Sequence, residues 1–148
     1  MTDTPNFRYI GKPRQPSEDR RFVAGHGRFA ADVAIPQTKH VALVSSPWAA
    51  ARIVDIDIGA AAKSRGVCGL LTGREIAQST TALATGVDTP AIQRWPLAVD
   101  VVRYAGEWVV AIIADSRAEA EDAAELVEID YEELPFVLDP EQAFDPAS

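Results

Sequence analysis

The chain has 148 residues, of which 47% are hydrophobic and 24% are charged, and its formal net charge at pH 7 is −8. These values predict one globular domain of ordinary size and exclude a disordered or collagen-like chain. The acidic balance argues against nucleic-acid binding, which needs a basic surface to displace phosphate counterions. No apolar run approaches the roughly 18 residues of a membrane helix, and no apolar leader opens the chain, so we expect a cytoplasmic protein.

Residues 1–20 are predicted to form an extended N-terminal arm, because they are polar, contain three prolines and show no periodicity. Phe7 and Tyr9 are bulky exceptions. Apolar side chains in a polar arm indicate docking onto a surface, either of this domain or of a partner.

A glycine-rich segment follows the arm. Gly25, Gly27 and Ala30 match the loose dinucleotide pattern G-x-G-x-x-A. No strong strand precedes them, and Pro36 follows too soon for the helix whose N-terminus would bind a pyrophosphate. The segment therefore predicts a tight turn and not a nucleotide site.

Strands and short helices alternate in the next part of the chain. The alternation of apolar and polar residues in His40–Ser45 and Arg52–Ile58 predicts two strands. Gly59–Arg65 is alanine-rich and precedes a glycine, which predicts a short helix. Val67–Thr72 is predicted to be a buried strand, and Gly73–Ala77 a further helical turn.

The strongest structural signal comes after a long predicted loop, Gln78–Pro96, and a strand, Leu97–Tyr104. Trp108–Ala114 is an unbroken apolar run rich in β-branched residues, which predicts a strand that is covered on both faces. Ser116 and Glu119 have the spacing of a capping box, in which the hydroxyl and the carboxylate both satisfy free amides at a helix start.

A helix and a strand complete this unit. The helix has one stripe of small apolar residues, at Ala120, Ala123, Ala124 and Val127. Val127–Glu132 then alternates apolar and acidic residues, as a strand with one solvated face does. Together with the unit from Arg52 to Thr72, this pattern predicts an α+β fold with two strand-helix-strand units and a mixed sheet. The predicted organisation is the arm, a domain over residues 21–140, and a tail over residues 141–148. Near the end of the domain, Phe136, Val137 and Leu138 are expected to pack on the core.

The titratable and nucleophilic side chains do not form a convincing catalytic or metal-binding set. His26 and His40 have no further ligands at zinc-site spacing, and Cys68 is expected to be a small buried residue in a core strand. One cysteine also cannot form an internal disulfide or supply the thiolates of an iron–sulfur cluster. Alternating carboxylates could gather a cation but are more simply the wet face of a strand; they are Glu128, Asp130, Glu132 and Glu133.

The tryptophans are more informative. Trp48 and Trp95 fall in predicted links, where a large ring either folds back on the core or marks a contact surface. With Trp108 and the two aromatic residues of the arm, they form the predicted partner interface: Phe7, Tyr9, Trp48, Trp95 and Trp108.

A series of short motifs runs through nearly the whole chain. In order, they are Gly11-Lys12-Pro13, Glu18-Asp19, Arg21-Phe22, Gly25-x-Gly27-Arg28-Phe29-x-x-Asp32, Ser46-Pro47-x-Ala49-x-Ala51-Arg52-Ile53-x-x-Ile56-Asp57, Gly66-Val67, Leu71-Thr72-Gly73, Pro96-Leu97-Ala98, Val102-Arg103-Tyr104-x-Gly106-Glu107, and Ala120-x-Asp122-Ala123-Ala124-Glu125-Leu126-Val127-x-Ile129-x-Tyr131-Glu132-x-Leu134-Pro135. Together they resemble the N-terminal α/β-hammerhead domain of the molybdenum hydroxylase large subunits, the family of xanthine dehydrogenase, aldehyde oxidase and carbon monoxide dehydrogenase.

Some positions depart from the family pattern. Ser45 stands where the family usually has arginine, and Trp48 and Ala50 replace common histidines. Ala31 replaces the first of two aspartates, and Trp108 stands where proline is frequent. The polar contacts of those family positions are therefore not carried over to this chain.

The resemblance implies a component of a hydroxylase without the active centre. In that family the molybdopterin cofactor and the catalytic glutamate belong to larger domains that follow the hammerhead, and FAD and the [2Fe–2S] clusters belong to other subunits or domains. We therefore expect no catalytic, cofactor-binding or metal-binding residue in this chain, and we expect a molybdopterin-binding catalytic chain as its partner, with FAD and iron–sulfur subunits as further candidates. The resemblance leaves open whether a large subunit is split across genes or the sequence is a fragment.

Two other functions are to be weighed against this one. The loop Gln78–Pro96 and its tryptophan could make the chain a free-standing small-molecule binding module. An autonomous enzyme is the least supported, because no set of side chains suits catalysis.

Overall fold

The computed structural model describes residues 7–83 and 93–145. The chain divides into two compact units, Met1–Pro36 and Gln37–Ser148. Residues 84–92, within the predicted loop Gln78–Pro96, lie outside the described residues, as do the first six residues of the predicted arm and the last three of the predicted tail.

The first unit is organised by a turn between two phenylalanines. Helix α1 (Asp19–Val23) begins inside the segment that was expected to be extended. The rings of Phe22 and Phe29 stack with their centroids 5.1 Å apart. A Cβ at Gly27 would lie 2.0 Å from Cδ1 of Phe22, so only glycine fits there. The glycine pattern thus serves a tight aromatic turn, as predicted.

Six strands are assigned in the described part of the second unit: β1 (His40–Ser45), β2 (Ala51–Asp57), β3 (Val67–Thr72), β4 (Val101–Val102), β5 (Trp108–Ala114) and β6 (Glu128–Glu133). They form two three-stranded sheets, in the orders β1-β5-β3 and β4-β2-β6. Each pairing between these strands is antiparallel. The α+β class is confirmed, but two antiparallel sheets replace the predicted mixed sheet, because each strand-helix-strand unit sends its strands to different sheets.

The predicted strand Leu97–Tyr104 is largely wrong, since only β4 pairs within it. Leu97 and Ala98 are buried, but they lie outside the strand ladder. The Ala98 amide donates to the Trp108 carbonyl of the central strand at 2.7 Å. The alternation of apolar residues here reflects burial and not strand pairing.

The core lies between the two sheets and helix α3 (Arg117–Ala124). Residues that lie opposite each other on neighbouring antiparallel strands point to the same face of a sheet. The strand register therefore shows which residues share each face of the β1-β5-β3 sheet. On the face that we call the inner face, Val110 and Ile112 of β5 are fully buried, and Ala123 of the helix packs against the same cluster. Burying each such aliphatic side chain contributes about 1.5–3 kcal/mol.

The opposite, outer face of the same sheet is apolar but open. Val41 pairs with Ile113, and Leu43 and Leu71 both pair with Ala111. Val41, Leu43 and Leu71 are 59%, 38% and 40% exposed. The predictions that Val67–Thr72 is a buried strand and that Cys68 is a buried residue are therefore wrong, because Cys68 is exposed at an edge of the sheet.

The two α-helices assigned among the described residues of the second unit are both capped by hydroxyls. The Ser116 hydroxyl accepts from the Glu119 amide, as predicted, but the Glu119 carboxylate accepts from the Ser116 hydroxyl and not from its amide. At α2 (Gly73–Ser79) the capping box is complete: the Thr72 hydroxyl accepts from the Glu75 amide, and the Glu75 carboxylate accepts from the Thr72 amide at 2.7 Å. The predicted turn at Gly73–Ala77 is thus a full short helix.

Two smaller predictions need correction. Gly59–Arg65 contains only a 3-10 turn, Ala61–Lys63, which the left-handed Gly66 (φ +76°) follows. Phe136, Val137 and Leu138 do not pack on the core, since all three are exposed.

Candidate partner interface

Trp95 and Trp108 line one groove on the second unit, although 13 residues separate them in the chain. The groove has a volume of about 570 Å³. Besides the two tryptophans, the residues that line it are Leu83, Gln93, Arg94, Pro96, Arg103, Tyr104 and Glu107. Trp108 is 51% exposed and Tyr104 is 60% exposed. The structure therefore gathers large aromatic rings at a solvent-facing site, which we call the aromatic groove.

One wall of the groove is a turn that leads into β5. The Glu107 amide donates to the Tyr104 carbonyl at 3.2 Å, and Gly106 within the turn has φ +91°, which favours glycine. Ser46, which is buried, holds this turn from both sides. Its amide donates to the Glu107 carbonyl at 2.8 Å, and its carbonyl accepts from the Gly106 amide at 2.7 Å. Backbone hydrogen bonds to a buried residue therefore hold this wall of the groove.

The opposite wall is held by backbone contacts as well. The Leu83 amide donates to the Arg94 carbonyl at 2.7 Å, which places Leu83 beside Arg94. The Trp108 carbonyl accepts from Ala98, so the segment that carries Trp95 is tied to the start of the central strand.

The groove carries two guanidinium groups and one carboxylate. Arg94 and Arg103 are exposed and form no ion pair with a carboxylate of the described residues. The Glu107 carboxylate accepts from the backbone amide of Arg103 at 2.5 Å. The groove is thus locally basic on a chain whose net charge is −8.

The other predicted interface residues lie elsewhere. Trp48 does not line the groove, but its amide donates to the Ser46 hydroxyl at 3.1 Å, so it is attached to the residue that holds the turn. Phe7 and Tyr9 belong to the first unit and are exposed, with the Arg8 and Arg14 guanidiniums over the Tyr9 ring. Of the five residues, the structure brings only Trp95 and Trp108 into one described groove.

Sequence reasoning missed Tyr104 and Arg103, which were assigned to a strand. The signal that could have revealed them is the Ala105-Gly106 pair, which predicts a turn and places its neighbours at a loop tip. Sequence reasoning also did not predict that the outer face of the β1-β5-β3 sheet is exposed, because periodicity alone does not indicate whether another element covers a face.

Tyr131 lies beside Ser46 beneath this region. Burial raises the pKa of Tyr131 above its ordinary value, and the neighbouring Ser46 hydroxyl offsets part of the rise. The two hydroxyls are close without a hydrogen bond of good geometry, since the Tyr131 oxygen is buried and has no bonding partner among the described residues. Tyr131 is therefore a packing residue with an unsatisfied hydroxyl.

Within residues 7–83 and 93–145, three or more histidine, cysteine, aspartate or glutamate side chains nowhere come together as a metal site would require. The carboxylates of β6, for which a cation site is the alternative prediction, form no such group either. Among the same residues, no helix has the length and apolar character needed to cross a membrane.

Residues 24–135 match a family model described as the a/b hammerhead domain of aldehyde oxidase and xanthine dehydrogenase. The nicotine 6-hydroxylase large subunit of Paenarthrobacter nicotinovorans is 39% identical over 137 residues, which are 90% of this chain and 17% of that protein. Subunit gamma of the 6-hydroxypseudooxynicotine dehydrogenase complex of the same organism is 40% identical over 142 residues, 91% of this chain and 18% of that subunit.

A solved structure shows the same fold. Quinoline 2-oxidoreductase from Pseudomonas putida 86 superposes with a TM-score of 0.79 at 38% identity, over 87% of this chain and 17% of that one. The chain thus spans less than a fifth of the length of the relatives that it matches.

Proposed function

Because this chain belongs to the aldehyde oxidase and xanthine dehydrogenase a/b hammerhead domain family of the molybdenum hydroxylases, we propose that it is a non-catalytic structural domain or subunit of such an enzyme. In this proposal it packs against a separate molybdopterin-binding chain of a hydroxylase or dehydrogenase. FAD and iron–sulfur subunits are further partners. A cytoplasmic location stays a prediction, which fractionation of cells with a tagged chain would test.

The aromatic groove is the observation that carries the proposal. Tryptophan, tyrosine and arginine are enriched at the centres of protein interfaces, where they supply most of the binding energy. The groove presents Tyr104 and Trp108 to solvent, beside the half-buried Trp95 and two arginines. A surface of this composition on a rigid turn suits docking of another polypeptide better than it suits catalysis.

The iron–sulfur clusters are assigned to other chains because the residues here do not fit them. An iron–sulfur cluster requires four cysteine thiolates, or two with two histidines, and the sequence has one cysteine and two histidines. That cysteine, Cys68, is exposed and lies outside the groove. We therefore assign no step of the enzyme's chemistry to this chain.

Affinity purification from the native host tests the proposal. A tagged chain is expected to retain a molybdopterin-binding polypeptide, identified by mass spectrometry and by bound molybdenum. The double variant Trp95→Ala/Trp108→Ala is expected to lose it, whereas Phe144→Ala retains it, since Phe144 is an exposed aromatic residue outside the groove. If the unaltered chain retains no such polypeptide, the proposal is wrong.

A small-molecule binding module is the second candidate, because the groove volume lies within the roughly 300–1,000 Å³ range of ligand sites. The tryptophan fluorescence of the chain alone, titrated with heterocyclic and carboxylate ligands, distinguishes the two. A saturable change that is lost in Trp95→Phe would favour the module.

A further inference from the structure

The charge of the aromatic groove identifies the kind of segment that it fits. In the described part of the chain, six basic residues form salt bridges, namely Arg21, Lys39, Arg52, Arg65, Arg74 and Arg117, and the other eight form none with a described carboxylate. Six of those eight lie outside the groove, and two line it. The guanidiniums of the groove, Arg94 and Arg103, form none with the described carboxylates. An acidic chain thus presents two available cations together, at one aromatic site.

The one carboxylate of the groove does not cancel this charge. The Glu107 carboxylate is directed to the backbone amide of Arg103, where it closes the turn. The Arg103 guanidinium makes only a long contact, 3.4 Å, to the Val101 carbonyl. Among the described residues that line the groove, two arginines accompany one glutamate, so the described lining carries a net positive charge.

We propose that the aromatic groove binds an extended acidic segment of the partner polypeptide, which rests on the proposed function. Arg94 and Arg103 bind its carboxylates through charge-assisted hydrogen bonds. The rings of Trp95, Tyr104 and Trp108 pack against its apolar or proline side chains, as aromatic grooves do with extended peptides. A second copy of this chain fits less well, because association of two chains of charge −8 is opposed by electrostatic repulsion.

Neutralising the two arginines tests the charge. The complex is purified through the tagged chain, dissociated and reassembled, and its Kd is measured at low and high salt. We expect Arg94→Gln/Arg103→Gln to weaken assembly by at least about tenfold at low salt, because the variant loses the charge-assisted hydrogen bonds of both guanidiniums. The difference in Kd between the variant and the unaltered chain should shrink at high salt, where dissolved ions screen the attraction between the arginines and the carboxylates of the segment.

The matched control is Arg65→Gln/Arg117→Gln, which removes the same charge from two exposed arginines outside the groove. We expect its Kd to stay within about twofold of the unaltered chain, since exposed ion pairs contribute little. Urea unfolding of both double variants should match that of the unaltered chain. A Kd for Arg94→Gln/Arg103→Gln equal to that of the control overturns the acidic-segment proposal.

Photo-crosslinking identifies the occupant directly. Gln93, which lines the groove and is exposed, is replaced by a benzophenone amino acid, and the irradiated complex is mapped by mass spectrometry. We expect a crosslinked partner peptide with more than one aspartate or glutamate. A crosslink to a peptide without acidic residues, or to a second copy of this chain, overturns the inference.

The two proposals fail in different ways. If the unaltered chain retains no molybdopterin-binding polypeptide, the proposed function fails and takes this inference with it. If the partner is retained with unchanged Kd by Arg94→Gln/Arg103→Gln but lost by Trp95→Ala/Trp108→Ala, the proposed function stands, and the acidic segment is replaced by an apolar one.

Discussion

The inner and outer faces of the β1-β5-β3 sheet carry similar side chains in opposite surroundings. Val110 and Ile112 on the inner face are fully buried, whereas Val41 and Leu43 on the outer face are exposed. Apolar residues at strand positions therefore predict a strand, but the burial of each face depends on whether another element covers it. The second sheet and α3 cover only one.

The largest effect is expected at the inner face. Ile112→Ala removes most of a fully buried side chain and leaves a cavity in the central strand, so it should lower the free energy of unfolding by about 2–5 kcal/mol. Ile112→Val, which removes one methylene, should cost about 0.5–1.5 kcal/mol. Urea denaturation followed by circular dichroism measures both. Equal losses for the two variants would show that the side chain is not tightly packed.

Two glycines, one within β3 and one at the start of α2, are expected to respond in opposite ways to the same substitution. A Cβ at Gly73 would lie 1.9 Å from the Ala98 carbonyl oxygen, so Gly73→Ala should destabilise the protein by about 1–3 kcal/mol. A Cβ at Gly69 would lie 3.5 Å from Cδ1 of Ile113, which is ordinary contact on the outer face. Gly69→Ala should therefore stabilise it by about 0.5–1 kcal/mol. Thermal unfolding of the two variants should shift in opposite directions; a shared sign contradicts the assignment of the faces.

A smaller effect is expected for a polar substitution on the outer face. Val41→Thr keeps the shape of the side chain and adds a hydroxyl that water can reach, so the free energy of unfolding should change by less than about 0.5 kcal/mol. Val110→Thr places the same hydroxyl in the core and should cost about 1–3 kcal/mol. Urea midpoints compare the two, and a similar loss at both positions would mean that the outer face is covered.

The smallest effect at neutral pH is expected for Tyr131→Phe. Its hydroxyl has no hydrogen-bonding partner among the described residues, so its removal should change stability by less than about 0.5 kcal/mol. Because burial raises the pKa of Tyr131 in the folded state, the unfolded chain ionises first, near its ordinary value of 10.0. The folded protein should therefore lose stability as pH rises above about 10.

The Tyr131→Phe variant should lack this loss of stability at alkaline pH, because it has no phenol to ionise. Urea unfolding of both proteins between about pH 8 and pH 11 should show curves that diverge at alkaline pH, with the unaltered chain falling more steeply. Parallel curves would show that Tyr131 ionises equally easily in both states.

Much of the local structure could be predicted, but its arrangement could not. The bounds of β1, β3 and β5 agree with the predicted strands, and the Ser116 cap was anticipated from its spacing. The capping box of Thr72 and Glu75 has the same spacing, so the sequence carries the signal for this helix start as well. For the predicted interface, the sequence indicated Trp95 and Trp108 singly, because nothing in a linear pattern reports that a turn bound to Ser46 brings them together.

By itself, the sequence determined the family, the strand positions and the charge of this protein, because motifs, periodicity and net charge are properties of neighbouring residues. Only the tertiary structure decided which sheet each strand joins, which face of the β1-β5-β3 sheet is buried, and that Arg94 and Arg103 line one groove with three aromatic rings. These depend on contacts between residues distant in the chain, such as those of Ser46 with Gly106 and Glu107, and on the free energy of burying one face and not the other.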